Sequence, residues 1–233
     1  MYASFMEKAA AEFGISAAVI QRGNAISQKE LESLVTSLSR DLAIHGILPM
    51  MPFPKGIDVA GVLACLDPDK DIDGLTEMNA GRLMTGKAGL FGNTPRAVMA
   101  LLDYYGMEPE GKHAVVLGRS NVIGKPVALM LLARNATVSL CHSKTKQMEK
   151  LTRKADILVS CVGQPDFVTS DMVKEGAIVI DVGINRKDGK TVGDVDYDGV
   201  YPKAGAITPV PGGVGSVTTS MVIENILTAA GRR

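Results

Sequence analysis

The stretch "HAVVLGRSNVIGKPVALMLLARNATVSLC", residues 113–141, decides how this chain is built. Residues 113–118 form a short apolar run that reads as a buried strand. Gly118 ends it, and residues 123–135 read as the helix that follows. Residues 136–141 are a second strand. Working outward, "ADILVSCVG" (155–163) follows a short charged helix and supplies a third strand, and "AIVIDVGIN" (177–185) a fourth. Strand-sized apolar runs separated by helices imply a parallel sheet covered on both faces. Such sheets bind ligands beyond the carboxyl ends of their strands. "GRSNVIG" (118–124), "CHSKTK" (141–146), "CVGQPD" (161–166) and "VGIN" (182–185) all lie at such ends. Together they outline one edge of a nucleotide-binding crevice.

Composition narrows the function. The chain has 233 residues, enough for one or two domains, with 46% apolar and 21% charged residues. Twenty-five basic residues balance 25 acidic ones, which argues against nucleic acid or an anionic membrane as partner. The apolar runs are too short to span a bilayer, and the amino-terminal "MYASFMEKAAAEFG" lacks the apolar stretch of a signal peptide. Cys65, Cys141 and Cys161 form no CxxC pair, so a reduced, cytoplasmic chain is expected. His142 beside Cys141 has no other ligand types clustered around it, and no metal site is expected.

The first half alternates helix and strand signals. Residues 3–13 read as a helix stopped by Gly14, and "ISAAVI" (15–20) as a strand. Ser27 and Glu30 make a capping box for a helix running to about Leu42. Residues 44–54 start as a strand and end in a proline-rich turn, and 59–66 read as a short helix. "DPDKDIDG" (67–74) reads as a polar loop. Thr94 and Pro95 cap a helix that reaches about Tyr105 before Gly106.

"GRSNVIGKP" (118–126) carries the most chemistry. Gly118 permits a sharp turn, and Gly124 lets the next helix pack close, its amino terminus able to face a pyrophosphate. The spacing is not GxGxxG, and a tight strand–helix turn alone would need these glycines. Such a turn has no use for Arg119. One strand on, where an adenosine ribose would lie, stand Ser143 and Lys144, with no Asp or Glu to bind a free ribose diol. With Arg119 they suit a 2′-phosphate, which favours NADP over NAD.

"DPDKDIDG", "GRSNVIGKP", "CHSKT", "IVIDVGIN", "VGDVD" and "ITPVPGGVG" occur in the order seen in the bifunctional methylenetetrahydrofolate dehydrogenase/methenyltetrahydrofolate cyclohydrolase family, which the chain resembles over nearly its whole length. The resemblance implies an α/β fold of two domains: a Rossmann-type parallel-sheet NAD(P)-binding domain and a smaller α/β folate-binding catalytic domain. The boundaries it suggests are 1–93, completed by the carboxyl-terminal helix 217–233, for the folate domain and 94–216 for the nucleotide domain. It also implies a homodimer formed through the nucleotide domain. Gly118, Arg119, Ser120, Ser143 and Ile184 match cofactor contacts. Pro211, Gly212 and Gly213 match the segment near the nicotinamide and the folate, and Asp73 the folate-binding aspartate. Asp71 reads as a loop cap. The implied reaction is hydride transfer from methylenetetrahydrofolate to NADP, followed by hydrolysis to formyltetrahydrofolate.

The chain departs from that pattern at both polar positions tied to hydrolysis. Counting back from Gly14, Tyr2 falls on the family tyrosine, and Met6 falls on the family lysine. Lys8 is two residues on, turned roughly 200° round the helix. Met50 stands where a glutamine belongs, and Ser216 where the family usually has proline. The family's further helix and strand before the tyrosine are expected to be missing here. A dehydrogenase with weak or lost cyclohydrolase activity is therefore expected. Its rivals are a fully bifunctional enzyme, a non-catalytic folate- or nucleotide-binding relic, and a Rossmann-type dehydrogenase for amino or hydroxy acids. The last does not explain "DKDIDG" or "PGGVG".

Overall fold

Five strands, His113–Leu117 (β1), Thr137–Cys141 (β2), Ile157–Ser160 (β3), Ile178–Asp181 (β4) and Ala206–Ile207 (β7), pair side by side in the order β2-β1-β3-β4-β7. Every pairing is parallel, with Leu117 opposite Cys141 and Ser160. Parallel neighbours need crossovers, and helix Gly124–Ala133 (α6) supplies the one between β1 and β2. The central strands are covered on both faces and apolar without alternation: β3 is buried along its whole length, while the edge strand β2 is only partly covered. Val115, Leu117, Leu158 and Val179 join Met172, Val173 and Val200 in one cluster of buried residues.

The computed structural model describes residues 2–231, and side chains from residue 6 onward. By internal packing it divides into residues up to Asn93 together with those from Thr219, and residues Thr94–Thr218, which hold the sheet. The second unit also contains Asn93–Tyr104 (α5) from Thr94 onward, the short helices Met148–Thr152 (α7) and Tyr197–Val200 (α8), and an antiparallel ribbon, Asn185–Lys187 (β5) with Lys190–Val192 (β6). Val214–Ala230 (α9) begins in this unit and ends in the other.

The first unit is mainly helical: Tyr2–Glu12 (α1), Gln28–Arg40 (α2), Val59–Ala64 (α3) and Glu77–Met84 (α4). The Ser27–Glu30 capping box forms, with the Glu30 carboxylate accepting from the Ser27 amide at 2.9 Å. The strand expected at 15–20 does not. Those residues belong to no helix or strand, and Val19 and Ile20 lie exposed. Nor does 44–54 become a strand. It makes one bridge, Ile47 to Asp71, with the Ile47 amide donating to the Lys70 carbonyl at 2.7 Å. The "polar loop" at 67–74 is the largest correction, since Lys70 is 1% and Asp71 0% exposed. Lys70 survives burial because its ammonium donates to the carbonyls of Asp41 (2.6 Å) and Leu38 (3.3 Å). Among the described residues the core of this unit holds one cluster of Val35, Val62 and Leu66 and another of Met6, Ile72, Leu90, Val222 and Ala229.

Candidate active site

At the carboxyl edge of the sheet, Gly118 follows β1 with φ +114°, and its amide donates to the Cys141 carbonyl at 2.9 Å. A Cβ on Gly118 would stand 2.5 Å from the Cys161 carbonyl oxygen, and one on Gly124 2.1 Å from that of Gly118. Both glycines are therefore required by close backbone contacts, Gly118 with the residue after β3 and Gly124 within the turn itself. Ser120 Oγ accepts from the amides of Ile123 (3.1 Å) and Gly124 (3.4 Å), so the expected anion site at the start of α6 is partly capped by the chain itself. Arg119 and Ser120 are exposed.

The register of β1 with β2 brings Arg119 beside the loop after Cys141. There the His142 amide donates to Thr145 Oγ1 at 2.9 Å and the Lys144 amide to His142 Nδ1 at 3.1 Å, leaving the Ser143 and Lys144 side chains exposed. Among the described residues, neither Arg119 nor Lys144 has an acidic partner. These two cations, with no carboxylate paired to either among the described residues, fit a 2′-phosphate.

Two buried aspartates that sequence reading left without a role shape the rest of this edge. Asp194, 0% exposed, accepts from the Val162 amide (2.7 Å), the Gln164 amide (3.0 Å), Ser160 Oγ (3.1 Å) and Asn185 Nδ2 (2.9 Å). Asp181 accepts from the amides of Gly183, Asp194 and Val195, each at 2.9 Å. Burial nevertheless pushes the Asp181 carboxyl above its ordinary value, and the neighbouring Asp194 adds to this. The carboxylates fit only because Gly183 and Gly193 lack side chains. A Cβ would lie 2.1 Å from Asp194 in the first case and 1.8 Å from Asp181 in the second. Their spacing in "VGIN" and "VGDVD" was visible, but the reciprocal bonding was not.

Ile184 is 73% exposed, unusual for so large an apolar side chain, and its Cδ1 would lie 3.9 Å from a Cβ on Gly215. The loop before α9 runs beside it. Pro211 and Gly212 are exposed, with Gly212 at φ +101° and little but open space before it. Gly213 is buried, and a Cβ there would meet the Pro209 carbonyl oxygen at 2.4 Å. Of this pair, Gly212 leaves room for a flat ligand and Gly213 allows the loop to fold.

In the first unit, Asp73 Oδ1 accepts from Asn93 Nδ2 at 2.7 Å and from the Asn93 amide at 3.3 Å. No hydrogen bond reaches Oδ2 among the described residues. Burial raises the Asp73 carboxyl above its ordinary value; the Asn93 bonds oppose this, and Asp71 adds a smaller push upward. Asp71 caps its loop as expected, taking the amides of Leu75 (3.0 Å) and Thr76 (2.8 Å) and Asn79 Nδ2 (3.1 Å). Gly74, at φ +63°, passes so close to Phe91 and Gly92 that a Cβ would sit 2.7 Å from their backbone.

Met6 is buried with Ile72, the neighbour of Asp73, while Lys8 is exposed. Met50 is 42% exposed, ahead of a cis Met51–Pro52 bond. The Tyr2 side chain lies outside the described residues.

A parallel sheet that reverses its strand order between β1 and β3, with glycine turns at that edge, defines a Rossmann-type α/β protein. Residues 1–73 match the model of the tetrahydrofolate dehydrogenase/cyclohydrolase catalytic domain, and 92–233 that of the corresponding NAD(P)-binding domain. The bifunctional protein FolD of Campylobacter concisus is 48% identical over 98% of this chain and 81% of its own length. The crystal structure of the bifunctional FolD enzyme from Campylobacter jejuni superposes with a TM-score of 0.97 at 45% identity, covering 100% of this chain and 83% of that one. The Trypanosoma brucei N5,N10-methylenetetrahydrofolate dehydrogenase-cyclohydrolase, complexed with NADP and an inhibitor, gives 0.93 at 39% identity over 99% and 82%. The chain belongs to the tetrahydrofolate dehydrogenase/cyclohydrolase family.

Proposed function

We propose that this chain oxidises methylenetetrahydrofolate to methenyltetrahydrofolate with NADP, and that hydrolysis to formyltetrahydrofolate is weak or lost. The observation that carries the reading is Asp73: a carboxylate with Oδ1 held by Asn93 and Oδ2 left to accept from a ligand. A pterin edge offers N–H donors, and charge-assisted bonds to a carboxylate are the strong kind. In this reading residues 1–93 with 217–233 hold the folate and 94–216 the nucleotide. Arg119, Ser143 and Lys144 bind the 2′-phosphate, and Gly118 and Ser120 shape the turn beneath the phosphates. Bound NADP accepts the hydride. The chain's own residues orient the rings: Ile184 offers an apolar contact, while Pro211, Gly212 and Gly213 let flat rings approach the main chain.

No side-chain proton moves in hydride transfer, so the methionines do not impede it. Hydrolysis differs, because proton transfer to or from the attacking water gives about 10²–10⁴ in rate. The thioethers of Met6 and Met50 have no proton to give.

Two copies are proposed to associate through the nucleotide unit. The supporting feature is β2, an edge strand whose Leu140 is 37% exposed. Three free thiols support a reducing cytoplasm, and among the described residues no helix is long and apolar enough to cross a membrane.

The test is reduction of NADP⁺ and of NAD⁺ with methylenetetrahydrofolate. NADPH formation is expected, with NADP⁺ the better acceptor and the preference shrinking in Arg119→Ala. Absence of NADPH formation overturns the reading, and equal efficiency with NAD⁺ overturns the cofactor assignment.

A further inference from the structure

Asn93 stands directly before the Thr94-Pro95 signal that opens α5, and nothing in the sequence marks it as more than a helix start. In the fold it is 2% exposed and uses every polar atom of its side chain. Its Nδ2 donates to the Ile72 carbonyl at 3.0 Å and to Asp73 Oδ1 at 2.7 Å. Its amide donates to the same Oδ1 at 3.3 Å. Its Oδ1 accepts from Asn225 Nδ2 at 2.9 Å. Asn225, also 2% exposed, sits in the apolar stretch of α9 and donates to the carbonyls of Phe91 (2.8 Å) and Ile72 (3.0 Å) as well. A polar side chain at such a position is costly unless bonded, and here the bonds tie both chain segments flanking Asp73 to one helix.

We infer that Asn93 is a positioning residue for Asp73: with its two N–H groups on Oδ1, held from behind by Asn225, it leaves Oδ2 as the acceptor for the folate ring. The inference rests on the proposed role of Asp73 in folate binding. It assigns Asn93 a second task, since N–H donors favour the ionised carboxylate against the burial that disfavours it. The groups around Asp73 are Asp71 on its own loop, the uncharged Asn93 and Asn225, and the apolar cluster containing Ile72, Met6, Leu90 and Val222. The charge of Asp71 acts on Asp73 in the same sense as burial. Removing the Asn93 side chain therefore leaves the residue-93 backbone amide alone, among the described groups, to favour the ionised carboxylate.

The experiment compares wild type with Asn93→Ala and Asn93→Asp, in the full chain. The alanine variant keeps the Asn225 bonds to Phe91 and Ile72, so the loop retains support. Calorimetric titration with tetrahydrofolate, kept reduced, is run across the acid range, together with kcat/KM for methylenetetrahydrofolate and the Kd for NADP⁺. In Asn93→Ala the folate affinity at neutral pH is expected to fall about tenfold, the lower end for a bond to a charged group. The acid limb, where affinity is lost as Asp73 takes a proton, is expected to move up by about one pH unit. Asn93→Asp, which removes the side-chain donor and adds a like charge, should move it further, while NADP⁺ affinity stays put. A purely structural role would lower folate affinity by the same factor at every pH. Unmoved acid limbs in both variants would overturn the inference. If the wild type itself fails to bind tetrahydrofolate, the folate role of Asp73 fails first, and the inference falls with it.

Discussion

Cys161 illustrates how placement overrides residue type. Its thiol donates to the Leu117 carbonyl at 3.0 Å and packs against Gly118, and burial, with Asp194 nearby, pushes its pKa up to about 12. It is a space-filling donor under the Gly118 turn and a poor nucleophile, because the thiolate is the reactive form. At pH 8, iodoacetamide followed by peptide mass spectrometry should modify Cys161 far more slowly in the native state than in urea. Comparable native and unfolded rates would contradict this account. The linkage has a definite sign: between the unfolded value near ~8.5 and the raised native value, the native state keeps a proton that the unfolded state loses. This contribution to stability is therefore present below that window and declines as pH rises through it.

At the scale of elements, the first βα turn depends on contact as much as on conformation. Gly118 has positive φ and no room for a Cβ beside Cys161, and Gly124 has none beside Gly118. Gly124→Ala, whose Cβ would meet backbone, is expected to push α6 away from β1 and cost about 2–4 kcal/mol, the range of severe core disruption. Urea unfolding measures the loss, and NADP⁺ titration should weaken in parallel while tetrahydrofolate binding does not. An alanine variant as stable as wild type would show that the turn relaxes freely. The Ser27 box is the milder case: Ser27→Ala should cost about 1 kcal/mol, as an N-cap loss does, with both ligand affinities unchanged.

At the scale of the whole molecule, the two reactions of the family are expected to part company. With NADP⁺ and methylenetetrahydrofolate, methenyltetrahydrofolate should accumulate and decay at close to its solution rate. Its absorbance after NADP⁺ is exhausted measures this, and rapid enzyme-dependent decay would make the chain bifunctional. The burial of Met6 sharpens the companion experiment. A lysine there enters the cluster of Ile72, Leu90, Val222 and Ala229, where desolvation lowers an ammonium's pKa. Met6→Lys with Met50→Gln should therefore cost stability while regaining some hydrolysis.

The sequence by itself determined four strands of the sheet; the short fifth, β7, it did not mark. Strand-sized apolar runs between helices read as parallel β-structure because such strands are buried on both faces, a local property of composition. It also carried the capping box and the strings that mark the family. The tertiary structure decided which polar residues matter together. Asn93 and Asn225 are 132 positions apart, and Asp181 and Asp194 cross-brace two loops, so no local pattern reports their bonds. The same holds for Lys70 and Asp71. Their charges read as a solvated loop, yet Lys70 is buried because the distant carbonyls of Leu38 and Asp41 accept from it, and Asp71 because amides just downstream in its own segment turn in to it. The reverse error at 15–20 has the same origin. A short apolar run with β-branched residues proposes a strand, but a strand exists only where another pairs with it, and pairing is settled by the fold.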